Sequence, residues 1–498
     1  MNLTSIINII TYNPENPVYF TTGFFLWFFS VFIILYSIFH KSKNARLSVL
    51  IIFSLYFYYK CCGSFVLLLI SVSLINYFLT AFLVSNVKLL KKAFFWLSLS
   101  FNLGTLIYFK YTNFFLSLYG GISGNVFEHL SIILPIGISF FIFQNIGYII
   151  DVYKGNIPPA KNMLDFISFT SFFPVIQAGP ILRAGNYFKQ IKLIPYITNE
   201  TLSKAVLLII SGLLKKCIIG DYIGVNFVDR VFDNPLLYSG FENLFAVFGY
   251  ALQIYCDFSG YSDIAIGIAL LIGIHIPANF NLPYKSLSIK EFWQRWHISL
   301  STWFRDYLFL PIAYSVARKL KNNKFLGIKA EAWSYNAGMI ITMLLCGLWH
   351  GASWTFVVWG GLYGIGISVE RIIKSRLKFK PNIYSKSIGA FITFLFICFC
   401  WIFFRASNFG KAFAVISQIF NSFNVNIIPQ IIMGYKEVFI LIIAGYAIHF
   451  IPEKYDLFFE KLITKSPLII KALYLIIAIW IVVQFKSAQL QPFIYFQF

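Results

Sequence analysis

Residues 343–361 read MLLCGLWHGASWTFVVWGG, and residues 291–311, upstream of a basic loop, read EFWQRWHISLSTWFRDYLFLP. Two of the six histidines, His297 and His350, stand in these stretches, each directly after a tryptophan. Both stretches are apolar enough to lie in or against a bilayer, where an ionisable side chain is costly and by default marks a functional position. Gly347 and Gly351 allow the helix to stop at Leu348-Trp349-His350, and Ser353-Trp354 opens the next one. A helix broken at membrane depth exposes backbone groups only where a cavity or protein receives them. His350 then projects into a polar pocket walled by Trp349, Trp354 and Trp359, in reach of a hydroxyl as a general base. The plainer alternative is a histidine that staples two helices together.

Outside this stretch the chain keeps the same character. Of its 498 residues, 59% are hydrophobic and only 12% charged, against roughly 45–50% and about 25% in a soluble domain. Aromatic residues reach 20%, with 58 Phe, which suits lipid-facing surfaces and interfacial belts. The chain is therefore read as an all-α, polytopic membrane protein, one transmembrane domain over residues 1–498. The net charge of +21 lies in short loops between apolar runs, the positive-inside pattern, and nucleic acid is excluded as a partner. The seven cysteines include no pair spaced as a zinc site or a redox CxxC, and no metal is expected. No cleavable signal peptide is evident, since the first apolar run is long enough to span.

Apolar runs fall at 17–39, 47–59, 64–84, 93–109, 131–150, 203–219, 243–271, 333–348, 352–369, 386–404, 437–452 and 468–486. They make about 11–12 spans of the length a bilayer needs. Lys41, Lys43 and Arg46, then Lys88, Lys91 and Lys92, place their loops in the cytoplasm. Residues 110–130 then lie outside, and the count puts both termini outside, with 487–498 as an outward tail. Two further segments, 164–182 and 298–316, are flanked on both sides by basic residues and are expected to be re-entrant. Pro174, Gly179 and Pro180 interrupt the first of them.

His297 lies amid Arg295, Arg305 and Asp306. It either grips a polar, phosphate-bearing donor or is a solvated interfacial histidine. Asp257, in an apolar span, is expected to pair with an arginine or with backbone, as scaffold for the site. No GxSxG elbow, HExxH or Walker A motif occurs, which disfavours hydrolase, zinc protease and ATPase readings.

The segments FFPVIQAGPILR (172–183), GLLKK (212–216), YCDFSGYSDIAIGIALLIG (255–273), ANFNLPYKSLSIKEFWQRWHISLSTWFRDYLFLP (278–311) and GLWHGASWTFVVWGGLYG (347–364) carry a resemblance. They resemble the membrane-bound O-acyltransferase (MBOAT) family, and within it the bacterial alginate and peptidoglycan O-acetyltransferase branch and the teichoic-acid D-alanyl transferases. The likeness runs from about Asn76 onward and is most specific at 253–311 and 344–364, with 386–486 as additional spans. It implies a ring of helices around a thin centre crossed by a tunnel. It also implies His350 as the catalytic histidine and His297 as a second functional one; Arg295, Arg305 and Trp349, read from their place beside these histidines, are expected about the acyl donor, acetyl-CoA or an acylated carrier.

FIYFQF (493–498) resembles a motif of this branch that presents a tyrosine, here Tyr495, as an acyl relay on the outer side. Without the resemblance these are interfacial aromatics. The activity implied is transfer of an acetyl group from a cytoplasmic thioester across the bacterial cytoplasmic membrane. A periplasmic or extracellular O-acetyltransferase partner then esterifies an envelope polysaccharide. D-alanyl transfer to teichoic acid is an alternative, and so is a transporter that moves an activated acyl group without chemistry.

Overall fold

A computed structural model describes residues 10–125, 127–320, 324–325, 328–376, 382–485 and 492–494. Helix takes up the greater part of every apolar run, as expected where backbone N–H and C=O groups have no water to turn to. Among the described residues the only strands are two-residue pieces, Lys324–Phe325 paired antiparallel with Ile328–Lys329. Six helices are long and apolar enough to cross a membrane on their own, and a bent pair, Val425–Gly434 with Lys436–Phe450, would make a seventh. The other runs form shorter or more polar helices that need protein around them. The chain divides into two compact units.

The first unit holds residues 1–209 and 264–277. Its helices include α1 (Gly23–Ile38), α2 (Lys43–Cys62), α3 (Phe65–Ala81), α4 (Lys88–Leu106), α5 (Ile138–Lys154), α6 (Met163–Thr170) and most of α7 (Asn199–Leu213). Phe173 is its aromatic hub, ringed by Phe25, Phe32, Phe53 and Phe57 at centroid separations of 6.5, 5.6, 4.7 and 6.0 Å. Asn76 and Asn102 exchange amide hydrogen bonds at 3.1 and 2.7 Å and join α3 to α4, the polar glue that replaces hydrophobic driving force between helices in lipid. The segment 164–182 is broken as expected: α6 stops at Thr170, a single turn follows at Phe173–Ile176, and irregular backbone leads to Ala184. Arg46 is buried and donates to the carbonyls of Ile191 and Leu193, both at 2.8 Å, anchoring the loop that follows.

The second unit holds residues 210–263 and 278–498. Helix α8 (Gly240–Leu271) has 32 residues, which at 1.5 Å per residue is about 48 Å, more than a bilayer's hydrocarbon needs. Two short helices, α9 (Ile289–Arg295) and α10 (Ile298–Phe304), follow a loop. The helical path then continues through a π-turn at Arg305–Phe309 into α11 (Leu310–Leu320). The segment 298–316, expected to turn back, is instead helical without a break to Leu320. Pro311 lacks an N–H and crowds the carbonyl four residues earlier, and the widened π-turn just before it absorbs that misfit.

Helices α12 (Ala330–His350) and α13 (Trp354–Arg376) form a close hairpin. A Cβ on Gly347 would stand 2.1 Å from the Phe356 carbonyl oxygen, and one on Gly360 2.1 Å from that of Met343. Only glycine lets these backbones approach so closely, as at small-residue interfaces in membranes. The unit is completed by α14 (Ile383–Arg405), α15 (Phe409–Asn421), α16 (Lys436–Phe450) and α17 (Leu468–Phe485).

Candidate active site

His350 is the last residue of α12, where Gly351 ends the helix in extended backbone at φ −157°. Its side chain is buried and ringed edge-on by Trp349, Trp359 and Phe404 at 4.9, 5.0 and 5.3 Å between centroids. Trp349 and Trp359 stand as two of the expected tryptophan walls. Trp354 is 52% exposed, and Phe404 of α14 adds a ring contact that the sequence did not suggest. The aromatic shell excludes water and lowers the local dielectric, so any hydrogen bond made there is strengthened.

His297 is wholly buried, which removes the solvated-interface reading. It forms the turn between α9 and α10 at φ 43°, one of two non-glycine residues with positive φ among the described residues. Such a conformation costs about 1–3 kcal/mol and persists only where its surroundings impose it. Asn279 imposes it: its carbonyl accepts from Ile298 N–H at 2.9 Å. Its side-chain oxygen accepts from the N–H and hydroxyl of Ser299 at 3.1 and 2.8 Å.

The same oxygen lies 3.1 Å from His297 Nδ1. An amide oxygen only accepts, so Nδ1 carries the proton and in the neutral ring Nε2 holds the lone pair. Phe258 packs edge-on against this imidazole at 4.6 Å.

Trp349 links the two histidines, since its indole lies 4.9 Å from the His350 ring and 6.2 Å from that of His297. The placement of α9 explains this meeting. Glu370 of α13 accepts from the N–H groups of Ile289 and Lys290 at 2.8 and 3.3 Å, capping donors that a helix N-terminus leaves open. Trp293 of α9 then packs on Trp359 and Tyr363 at 5.8 and 5.2 Å.

Beside this cluster is a cavity of about 510 Å³, lined by Lys290, Trp293, Ile298, Arg305 and Cys346 among others. Ile298 follows His297 directly, and Cys346 lies one helical turn before His350 on the same face. Arg305 lines the cavity and pairs with Asp306 at 2.8 Å. Arg295, expected beside it, is held instead by Glu291 at 2.9 Å and the Asn281 carbonyl at 3.1 Å.

Tyr495 lies outside the described residues. Asp257 is buried and pairs with Lys216 rather than an arginine, while its second oxygen accepts from the Ile494 N–H at 3.0 Å. Sequence reasoning missed Asn279, Phe404, Glu370 and Lys216. Asn279 and Lys216 stood inside segments already singled out, ANFNLPY and GLLKK, as polar residues against apolar neighbours.

Two buried imidazoles sharing one indole, next to a cation-bearing cavity inside a multi-helix membrane protein, are the furniture of a membrane-embedded transferase. The family model described as MBOAT, membrane-bound O-acyltransferase, matches residues 157–410, and the chain belongs to that family and is an acyltransferase. The peptidoglycan O-acetyltransferase of Helicobacter pylori is 34% identical over 394 residues, covering 74% of this chain and 72% of that protein. The probable alginate O-acetylase AlgI of Pseudomonas putida is 35% identical over 411 residues, 81% of this chain and 80% of its own length. A teichoic acid D-alanyltransferase of Streptococcus thermophilus is 32% identical over 277 residues, 52% of this chain and 65% of its own.

Proposed function

We propose that this enzyme takes an acetyl group from a cytoplasmic thioester, acetyl-CoA or an acylated carrier, for O-acetylation of an envelope polysaccharide, peptidoglycan or an alginate-like polymer. The observation that carries the chemistry is His350 at a helix break, caged by aromatic rings and one turn from Cys346 on the cavity wall. The cavity suits the donor: apolar walls accept an acyl-pantetheine arm, and Lys290 and Arg305 offer cations to its phosphates. The names and coverage of the relatives favour acetyl over D-alanyl transfer.

In the reaction, an imidazole nitrogen of His350 takes the proton of the attacking hydroxyl, whose oxygen bonds to the thioester carbonyl carbon. The C–S bond breaks, the thiolate leaves, and the imidazolium returns the proton to sulfur. The ester and a free thiol are the products. His297, with its lone pair on Nε2, orients the donor or receives a hydrogen bond from it. With Tyr495 as the first hydroxyl, the product is an acetyl-tyrosine ester. A hydroxyl on the outer side, delivered by a periplasmic or extracellular O-acetyltransferase partner, then attacks this ester and frees the tyrosine.

His350→Ala is expected to lower transfer by about 10²–10⁴-fold, the usual loss with a positioned base, at unchanged abundance in the membrane. The measurement is ester-linked acetate on the envelope polysaccharide of cells carrying the variant. Near-normal acetate removes His350 from the mechanism.

A further inference from the structure

The second unit buries a cluster of charges that the chemistry above does not use. Lys216 lies in the π-turn Leu214–Gly220 that continues α7. It pairs with Asp257 of α8, and with Asp221 at 2.7 Å. Lys216 and Asp257 are only 1% and 4% exposed. Gly260 makes the approach possible, because a Cβ there would stand 2.8 Å from the Gly212 carbonyl oxygen. Arg405 pairs with Asp229 at 2.7 Å and lines the same small polar cavity, so two cations face three carboxylates. A buried carboxylate left short of donors is expensive.

The missing donor comes from residues 492–494. The Ile494 N–H binds Asp257 Oδ2 at 3.0 Å, and the Pro492 carbonyl lies 3.5 Å from Lys216 Nζ. Between them Phe493 packs under the Lys216 ammonium at 4.7 Å and edge-on against Tyr261 at 4.4 Å. Phe493 and Ile494 are 2% and 5% exposed. Backbone donor, backbone acceptor and aromatic ring of one tripeptide are thus each met by the pair Lys216–Asp257 or its neighbour Tyr261.

We infer that Lys216, Asp257 and Tyr261 form a seat for the segment 492–494 and are positioning residues for acyl transfer at Tyr495, which follows Ile494 by one peptide bond. The role in transfer rests on the relay reading of Tyr495 given above; the seat itself does not. A buried ion pair is a poor source of stability compared with apolar packing. Here it has a specific use, since it presents one acceptor and one donor at a fixed spacing to the backbone of the segment. The side chains hold the backbone of the segment one peptide bond before the tyrosine.

The test compares the full-length protein with Ile494→Pro, which deletes the N–H from the segment and leaves the buried pair untouched, and with Asp257→Leu, which deletes the acceptor. Hydrogen exchange by mass spectrometry on the peptide 486–498 reads the seat. Both variants should raise exchange of its remaining amides to the unprotected rate while α12 and α13 keep their protection. Wild-type protection of that peptide in Ile494→Pro overturns the seat.

A second readout is the acetyl adduct on Tyr495 after incubation with acetyl-CoA. It should form in wild type and fall by about 10²-fold in Ile494→Pro, the loss typical of a misplaced reacting group. An adduct formed at the wild-type rate on a released segment overturns the positioning role and leaves the relay standing. Protection that responds to the variants, with no adduct in wild type, supports the seat and overturns the relay.

Discussion

Asn279 does three things with one side-chain oxygen: it holds the turn before α10, takes the Ser299 hydroxyl, and fixes the proton on His297 Nδ1. The third task is chemical, because the tautomer decides which nitrogen faces the substrate. Asn279→Leu removes the acceptor at nearly constant volume from three buried donors, and at the His297 N–H alone the loss is about 1–3 kcal/mol. Expressed as rate, that is about a 5- to 150-fold fall in turnover of acetyl thioester by purified protein. Asn279→Asp retains the acceptor and should keep more activity than Asn279→Leu. Equal activity in the two variants would show that the tautomer is irrelevant. His297→Ala, which also relaxes the left-handed turn, is expected to impair the enzyme less than His350→Ala if His297 serves the donor.

At the scale of elements, the hairpin of α12 and α13 is set by glycines whose roles differ even between neighbours. Gly360→Leu must move the Met343 carbonyl, a backbone atom that cannot yield cheaply, whereas a Cβ on Gly361 meets only the Leu344 Cδ2 methyl at 3.4 Å. Gly360→Leu should lower the thermal transition of detergent-solubilised protein, as overpacking by about 1–3 kcal/mol does. Gly361→Ala should leave the transition unchanged or raise it slightly. If both substitutions behave alike, the hairpin contact is looser than described.

The position of this hairpin was legible beforehand, since Gly347, Gly351 and Ser353 punctuate an apolar run at the point where α12 stops. So was the break in 164–182, from its prolines. The unbroken path from Ile298 to Leu320 was not, because a π-turn leaves no mark in hydrophobic periodicity and the basic residues on both sides read as a return to one face. Arg295 pairs with Glu291, four residues before it, an i, i+4 contact that the sequence spacing allows. Asn279, Phe404 and Lys216 depend on partners from 18 to 41 residues away or more, and no local pattern announces such contacts.

For the molecule as a whole, the question left to experiment is how the helices stand in the membrane. Residues 88–123 are helical without interruption, through a π-turn at Ile107–Tyr111, and at 1.5 Å per residue this run is about 54 Å long, enough to cross the hydrocarbon. Lys88, Lys91 and Lys92 crowd its start, and the residues after it carry almost no positive charge, so its start is expected in the cytoplasm. Two helices, α2 and α3, separate Lys41 from Lys92, which puts both lysines on one side. Labelling can test this with little background, because all seven cysteines are buried. With a membrane-impermeant maleimide on intact cells, Asn125→Cys should react, while Lys41→Cys and Lys92→Cys should react only after permeabilisation. Both ends of the 88–123 run labelling from one side would mean that it does not span. Labelling of Lys92→Cys alone in intact cells would invert the 88–123 run and put its lysine-rich start outside, against the charge pattern.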